Sequence, residues 1–344
     1  MARRPQKQTS SFSLSGDDEA QLYSIIDNPA PEGAVVDWLD TSDGLRLRYA
    51  RWETLVRPSK GTVIILHGRS ETIEKYFETI TDLRSRGFGV LAYDMRGQGA
   101  SSRLAGDGKK GHVDSFAHHA ADLEQLMEDV ALPDCKPPYF AIGHSSGSLV
   151  ALLAAPRLGN RLQRMVLLAP LLQLTKIPVS QTLLRRATGA LNFLGFGRAY
   201  IGGTGTRVPN KTFIGNKLTT DTARFDRNRA ILDRYPDIAI HGPTIGWVHA
   251  ACLAMQRVLA TGYVNRITIP TLFIAAGNDE VVDNRIIEHL GDGMRSGAFI
   301  TVPGAKHEIL QERDVFREQM LAAFDAFIPG TEPGSRPAFD RKAA

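Results

Sequence analysis

The stretch "PYFAIGHSSGSLVALLAAP", residues 138–156, constrains this chain more than any other. A short apolar run leads straight into Ser145, which stands between Gly143 and Gly147, and a helical pattern follows at once. The spacing G-x-S-x-G in that setting is a strained strand-to-helix turn that pushes a serine hydroxyl out of a sheet. The glycines belong there because side chains would collide with the neighbouring strand and helix. An ordinary Gly/Ser turn is the alternative, and the rest of the chain decides between them.

Strand-like runs alternate with helical patterns along most of the sequence, as they do in a parallel sheet covered on both faces. "AVVDWLDT" and "LRLRYARWE" alternate at period two around "SDG" and predict an opening antiparallel hairpin. "GTVIILHG" is a continuous β-branched apolar run, as a buried central strand requires. The helical pattern "EKYFETITDLRSRG" stops at Gly87, and "DSFAHHAADLEQLMEDV" has Asp114 or Ser115 to cap it. Strand character recurs in "FGVLAYDMRGQG", "PYFAIG", "RMVLLAP", "ITIPTLFIAAGND" and "GAFITVPGAKH", and "REQMLAAFDAFI" closes as an amphipathic helix. Between Leu171 and Gly262 the rhythm breaks into helical patterns and Gly/Thr-rich loops. The layout predicts an α/β core, residues 34–170 and 263–330, interrupted by a mostly helical cap, 171–262.

Residues 1–33 read as a polar leader without the apolar segment secretion needs, and 331–344 as a tail. No run approaches the 18 or so apolar residues of a membrane span. Cys135 and Cys252 lie far apart with no C-x-x-C partner, which argues against a disulfide framework or a thiolate zinc site and fits a reducing, cytoplasmic setting. No nucleic-acid partner is expected. The net charge of +4 is unevenly placed: residues 171–262 carry twelve Lys/Arg against four acids, leaving a net −4 on the remainder. That excess fits an anionic surface or head group, or else a solvated basic face.

A serine nucleophile needs a base, and the base needs a group to orient it. Asp279 follows the strand "TLFIAAGN" and His307 follows "AFITVPGAK", so both fall at the C-terminal ends of strands, where open α/β sheets place their sites. With Ser145 they run in the order Ser, Asp, His. Asp283, four residues beyond Asp279, is the alternative orienting acid. Asp94 and Arg96 read as a brace tying loop backbone together, His67 as another brace, and His144 as a packing residue. His118 and His119 span two faces of a helix, and no cluster of carboxylates or histidines suggests a metal. The N–H after the nucleophile, on Ser146, and that of Arg69 in "LHGRS" are the candidate oxyanion donors. The Arg69 guanidinium is a candidate to reach the substrate.

The motifs "HGRSETIEKY", "YDMRGQGASSR", "KKGHVDSF", "GHSSG", "PTIGWVHAA", "GNDEVVDN" and "GAKHEILQERD" together resemble α/β-hydrolases of the branch holding bacterial lysophospholipases and monoacylglycerol lipases, the serine aminopeptidase S33-like hydrolases. The resemblance spans about residues 34 to 328, and Ser146 departs from the larger residue common there. It implies a cofactor-free serine esterase acting on single-chain lipid esters, lysophospholipids foremost, with peripheral contact to an anionic membrane. Monoacylglycerol lipase, broad carboxylesterase and a non-catalytic binding protein are the rival readings.

Overall fold

The computed structural model of the chain describes residues 19–106, 108–202, 205 and 212–329. Eight strands form one sheet in the order β1-β2-β4-β3-β5-β6-β7-β8. β1 (Ala34–Asp40) and β2 (Arg46–Trp52) are the expected antiparallel hairpin, and β2 lies antiparallel on β4 (Gly89–Tyr93). From there every pairing is parallel, through β3 (Thr62–Leu66), β5 (Tyr139–His144), β6 (Leu162–Leu168), β7 (Thr271–Ala276) and β8 (Gly297–Val302). Every residue of β3, β4, β5 and β7 is buried, which is possible only with helices on both faces.

The period of two divides the core. Ile64 and Leu66 of β3 enter an apolar layer shared with α2 (Phe116–Leu126), α4 (Ser146–Leu158) and α8 (Asn284–Gly293). Val63 and Ile65 enter the opposite layer, shared with α1 (Phe77–Ser85) and α9 (Asp314–Phe327). Of the two candidate caps for α2, Ser115 holds the place, its hydroxyl accepting from the Ala117 N–H. A single turn, α3 (Leu132–Asp134), precedes β5.

Between β6 and β7 lie α5 (Gln181–Leu191), α6 (Thr222–Arg234) and α7 (Ile245–Val258). The sequence returns the chain to the core at residue 263, but Val248, Ala251, Met255 and Val258 of α7 are already part of the layer beneath the sheet. The second difference concerns the leader. Residues 19–33 lie against the core: the Gln21 carbonyl accepts from Arg48, Pro31 accepts from the Trp52 indole, and Tyr23 packs on Tyr235 with ring centroids 4.9 Å apart. Residues 1–18 and 330–344, which hold the rest of the leader and the tail, lie outside the described residues, as do 203–204 and 206–211 in the Gly-rich loop.

Two charged clusters hold loops to this frame. Arg48 is fully buried between Glu74 at 2.7 Å and Asp94 at 2.6 Å. Asp94 also accepts the N–H groups of Ile73 and Ala100, so one carboxylate fixes two loops. Removing the cation would leave two buried carboxylates uncompensated. Arg48→Met should therefore destabilise the fold by about 3–5 kcal/mol in urea titrations. The second cluster ties α6 to α1, with Arg224 and Arg227 both paired to Glu78. Burial pushes the Glu78 carboxyl up, but Arg224 and Arg227, with the nearby charge of Arg317, outweigh it and hold the value at about 2 against an ordinary 4.5. A depressed carboxylate stabilises fully above its ordinary value, and the contribution disappears as pH falls toward its folded value. Protection of α6 amides from hydrogen exchange should fall between pH 4.5 and about 2, ahead of β5, and Glu78→Gln should remove that dependence.

Candidate active site

β5 ends at His144 and α4 begins at Ser146, so the whole turn is made by Ser145, at φ 51° and ψ −113°. Such a backbone costs about 1–3 kcal/mol and persists only where its surroundings enforce it. Here the Ser145 N–H donates to the Leu168 carbonyl at 3.0 Å, and the Ser145 carbonyl accepts from Leu149 and Leu171. A Cβ on Gly147 would stand 2.2 Å from the Leu66 carbonyl oxygen, and one on Gly143 would stand 2.8 Å from Ser148 Cα. The two glycines are required by contact.

Ser145 Oγ lies 3.0 Å from His307 Nε2, and His307 Nδ1 lies 2.7 Å from Asp279 Oδ2. The other carboxylate oxygen of Asp279 accepts from the Val281 and Val282 N–H groups at 2.7 and 3.0 Å. Burial would raise the Asp279 carboxyl, but His307 and these two donors hold it below its ordinary value, so it is ionised at neutral pH. Its charge selects the tautomer with the proton on Nδ1, which leaves Nε2 to accept from the serine hydroxyl. The structure thus brings Ser145, Asp279 and His307 together. Asp283 is elsewhere: it caps α8 through the Arg285 N–H and pairs with the exposed Arg285 side chain.

The loop after β3 approaches from the other side. His67 Nε2 accepts from the Met95 N–H, which places its proton on Nδ1, 2.7 Å from the Gly68 carbonyl. His67 is the brace the sequence suggested. Among the described residues the N–H groups of Arg69 and Ser146 have no acceptor. The Arg69 side chain runs to the His241 carbonyl, 3.1 Å away, with its guanidinium over the face of Trp247.

His144 and Arg96 depart from the sequence reading. His144 is a hydrogen-bonded member of a buried network rather than a packing residue. Its Nδ1 faces Glu71 at 3.0 Å and its Nε2 lies 3.1 Å from the His307 carbonyl, so both nitrogens meet acceptors and both carry protons. Burial alone would lower its pKa, and Glu71 raises it instead. Glu71 also accepts from the Gly68 N–H and the Tyr76 hydroxyl and pairs with Lys75, which reaches Glu308 at 2.6 Å. These partners were written in the spacing Glu71-x-x-x-Lys75-Tyr76 and in the pair His307-Glu308, though neither reveals its meeting with the other. Arg96 braces side chains rather than backbone, pairing with Asp122 of α2 and with Asp43 in the β1–β2 turn. His119 is buried edge-on to Phe116 and held neutral, its pKa driven down to about 3 by burial. Among the described residues no cluster suits a metal ion.

Ser145 and His307 open into a cavity of about 380 Å³, walled by apolar Leu218, Phe225, Ile231 and Ile240 and roofed by α6. A family model for serine aminopeptidases of type S33 matches residues 57–314. The chain belongs to that family. Lysophospholipase L2 of Escherichia coli is 32% identical over 83% of this chain and 85% of its own length. A probable lysophospholipase L2 of Haemophilus influenzae is 28% identical over 85% and 91%. A soluble variant of monoglyceride lipase from Saccharomyces cerevisiae, solved with a substrate analogue, superposes with a TM-score of 0.70 at 20% identity, covering 88% of this chain and 98% of that one. The fold is that of the α/β-hydrolases, and within it this S33 member falls in the lysophospholipase and monoacylglycerol lipase branch. Asp279→Asn should lower ester-hydrolysis kcat by about 10⁴ through loss of the correct tautomer. Asp283→Asn should stay within about threefold, since asparagine caps a helix as well as aspartate. Steady-state kinetics of the two purified variants separates the assignments.

Proposed function

We propose that the protein is a serine hydrolase of single-chain lipid esters, lysophospholipids foremost, with monoacylglycerols as the second reading. The observation that carries this is the Ser145–His307–Asp279 chain of contacts at the floor of an apolar-walled cavity. Ser145 Oγ attacks the acyl carbonyl as His307 Nε2 takes its proton. Asp279 stabilises the imidazolium, and the Arg69 and Ser146 N–H groups receive the oxyanion. The imidazolium then protonates the departing glycerol oxygen, and water, activated by the same histidine, releases the fatty acid. The chemistry calls for no cofactor. The relatives named as lysophospholipases support the substrate class, and the apolar walls suit one acyl chain.

The segment from 171 to about 262 governs access in this reading, and it also meets the lipid surface. Past α5 the chain exposes Phe193 (91%), Leu194 (66%) and Phe196 (55%), flanked by exposed Arg186 and Arg198. Exposed aromatic side chains beside cations suit an anionic bilayer interface, where each basic residue contributes about 1 kcal/mol. No helix among the described residues is long and apolar enough to cross a membrane.

Hydrolysis of a lysophospholipid, a monoacylglycerol and a short-chain ester, with Ser145→Ala as blank, tests the activity. The long-chain substrates should win by kcat/KM, and a clear preference for the short ester would leave a general carboxylesterase. Failure of a fluorophosphonate to label Ser145 would instead point to a non-catalytic binding protein. In vesicle co-sedimentation, Phe193→Asp combined with Leu194→Asp should weaken binding to anionic vesicles by at least about tenfold, from the apolar burial lost. Unchanged binding would remove this surface from the reading.

A further inference from the structure

The cations around the cavity differ in one respect. Of the cations lining it, Lys75 is held between Glu71 and Glu308, Arg229 is paired with Asp233, and Lys217 is exposed to solvent. Arg69 lines the same cavity and has no carboxylate partner among the described residues. Its neighbour Glu71 is already engaged by Lys75, His144, Tyr76 and the Gly68 N–H. One guanidinium nitrogen donates to the His241 carbonyl, and the plane is steadied over Trp247 at 5.7 Å. The remaining donors have no acceptor among the described residues. Burial lowers the Arg69 pKa to about 10 against the opposing pull of Glu71, and the group stays charged at neutral pH. A partly buried, oriented guanidinium with spare donors binds phosphate oxygens in a forked geometry that a lysine cannot reproduce.

Resting on the lysophospholipase reading, we propose that Arg69 is the residue that selects for a phosphate-bearing head group. Its backbone and side chain act at the two ends of one substrate. The N–H faces the carbonyl being attacked, while the guanidinium stands a side chain's length away. In a lysophospholipid the phosphorus is separated from the ester oxygen by a glycerol linker of the same number of bonds as separate an arginine Cα from its Cζ. The phosphate therefore falls within the guanidinium's reach when the carbonyl is seated at Ser145. A monoacylglycerol of the same acyl chain presents a neutral hydroxyl there and leaves the cation unpaired. Discrimination arises from that difference.

The test compares kcat/KM for a 1-acyl lysophospholipid and the matching monoacylglycerol, both below their aggregation concentrations, in the full-length wild type, Arg69→Met and Arg69→Lys. The expected result is a fall of at least about tenfold in the lysophospholipid-to-monoacylglycerol ratio for Arg69→Met, the scale of one lost charge-assisted hydrogen bond. Arg69→Lys should recover only part of it. Equal losses on both substrates would make Arg69 a brace between its loop and residue 241 and overturn the proposal. So would a wild-type ratio near one, which leaves single-chain lipid hydrolysis standing. Preference of the wild type for a short soluble ester over both lipids is the separate failure of the underlying reading. Should Arg69→Met not fold, Arg69→Lys carries the ratio alone. Competitive inhibition of the wild type by glycerol 3-phosphate, weaker in Arg69→Lys, supports the proposal. Inhibition by inorganic phosphate of equal strength would assign the site to any free phosphate and overturn the selection of a lipid head group.

Discussion

The site depends on one close approach: the first turn of α4 lies against the end of β3 with nothing between them. Gly147 has no side chain because the carbonyl oxygens of Leu66 and His67 occupy the place where its Cβ would be. That contact sets more than the serine. The residues whose carbonyls it touches begin the loop carrying Arg69, and the helix it begins carries Ser146. The separation of these two backbone N–H groups, the candidate oxyanion donors, is thus set by backbone against backbone, which side-chain rotation cannot loosen. The strain at Ser145 is held by the same arrangement, since its N–H and carbonyl are anchored to β6 and to the residue that follows Pro170.

Around this rigid centre, loops that cannot satisfy one another are held by buried charge. Asp94 receives N–H groups from two loops and is balanced by Arg48, which in turn fixes Glu74 and the Gln21 carbonyl. Glu71 does the same for the Gly68 N–H on one side and His144 on the other. Such clusters add little net stability over an apolar filling, but any wrong placement strands a charge, so they define a single loop conformation. Through His144 the second cluster reaches the backbone carbonyl of His307 itself, and its carboxylate is therefore in contact with the frame of the base.

Much of this was legible in the sequence, for local reasons. The strands announce themselves because burial on both faces leaves no polar alternation, as in Thr62–Leu66 and Thr271–Ala276. Ser145, Asp279 and His307 were readable from their order and from the strands they follow. What escaped was long-range. Residues 19–33 are held through the carbonyls of Gln21 and Pro31 and the ring of Tyr23, and backbone carbonyls leave no trace in residue type. α7 was taken for part of the insertion because its apolar pattern does not say which surface it meets. His144 and Arg96 carry partners 73 and 26 residues distant, too far for spacing to disclose.

The insertion between β6 and β7 begins inside the frame of the active site. The Thr175 N–H donates to the Val281 carbonyl, the Asp283 N–H donates to Gln173, and Leu174 bridges Val282, so the neck of the insertion is laced to the loop whose amides grip Asp279. At its other end the chain has already docked beneath the sheet by Trp247. Both ends are thus tied by hydrogen bonds or packing to the frame that holds the triad. Any opening over the cavity has its pivots inside residues 176–244, and the entrance can swing without the acid that orients the base being dragged along with it.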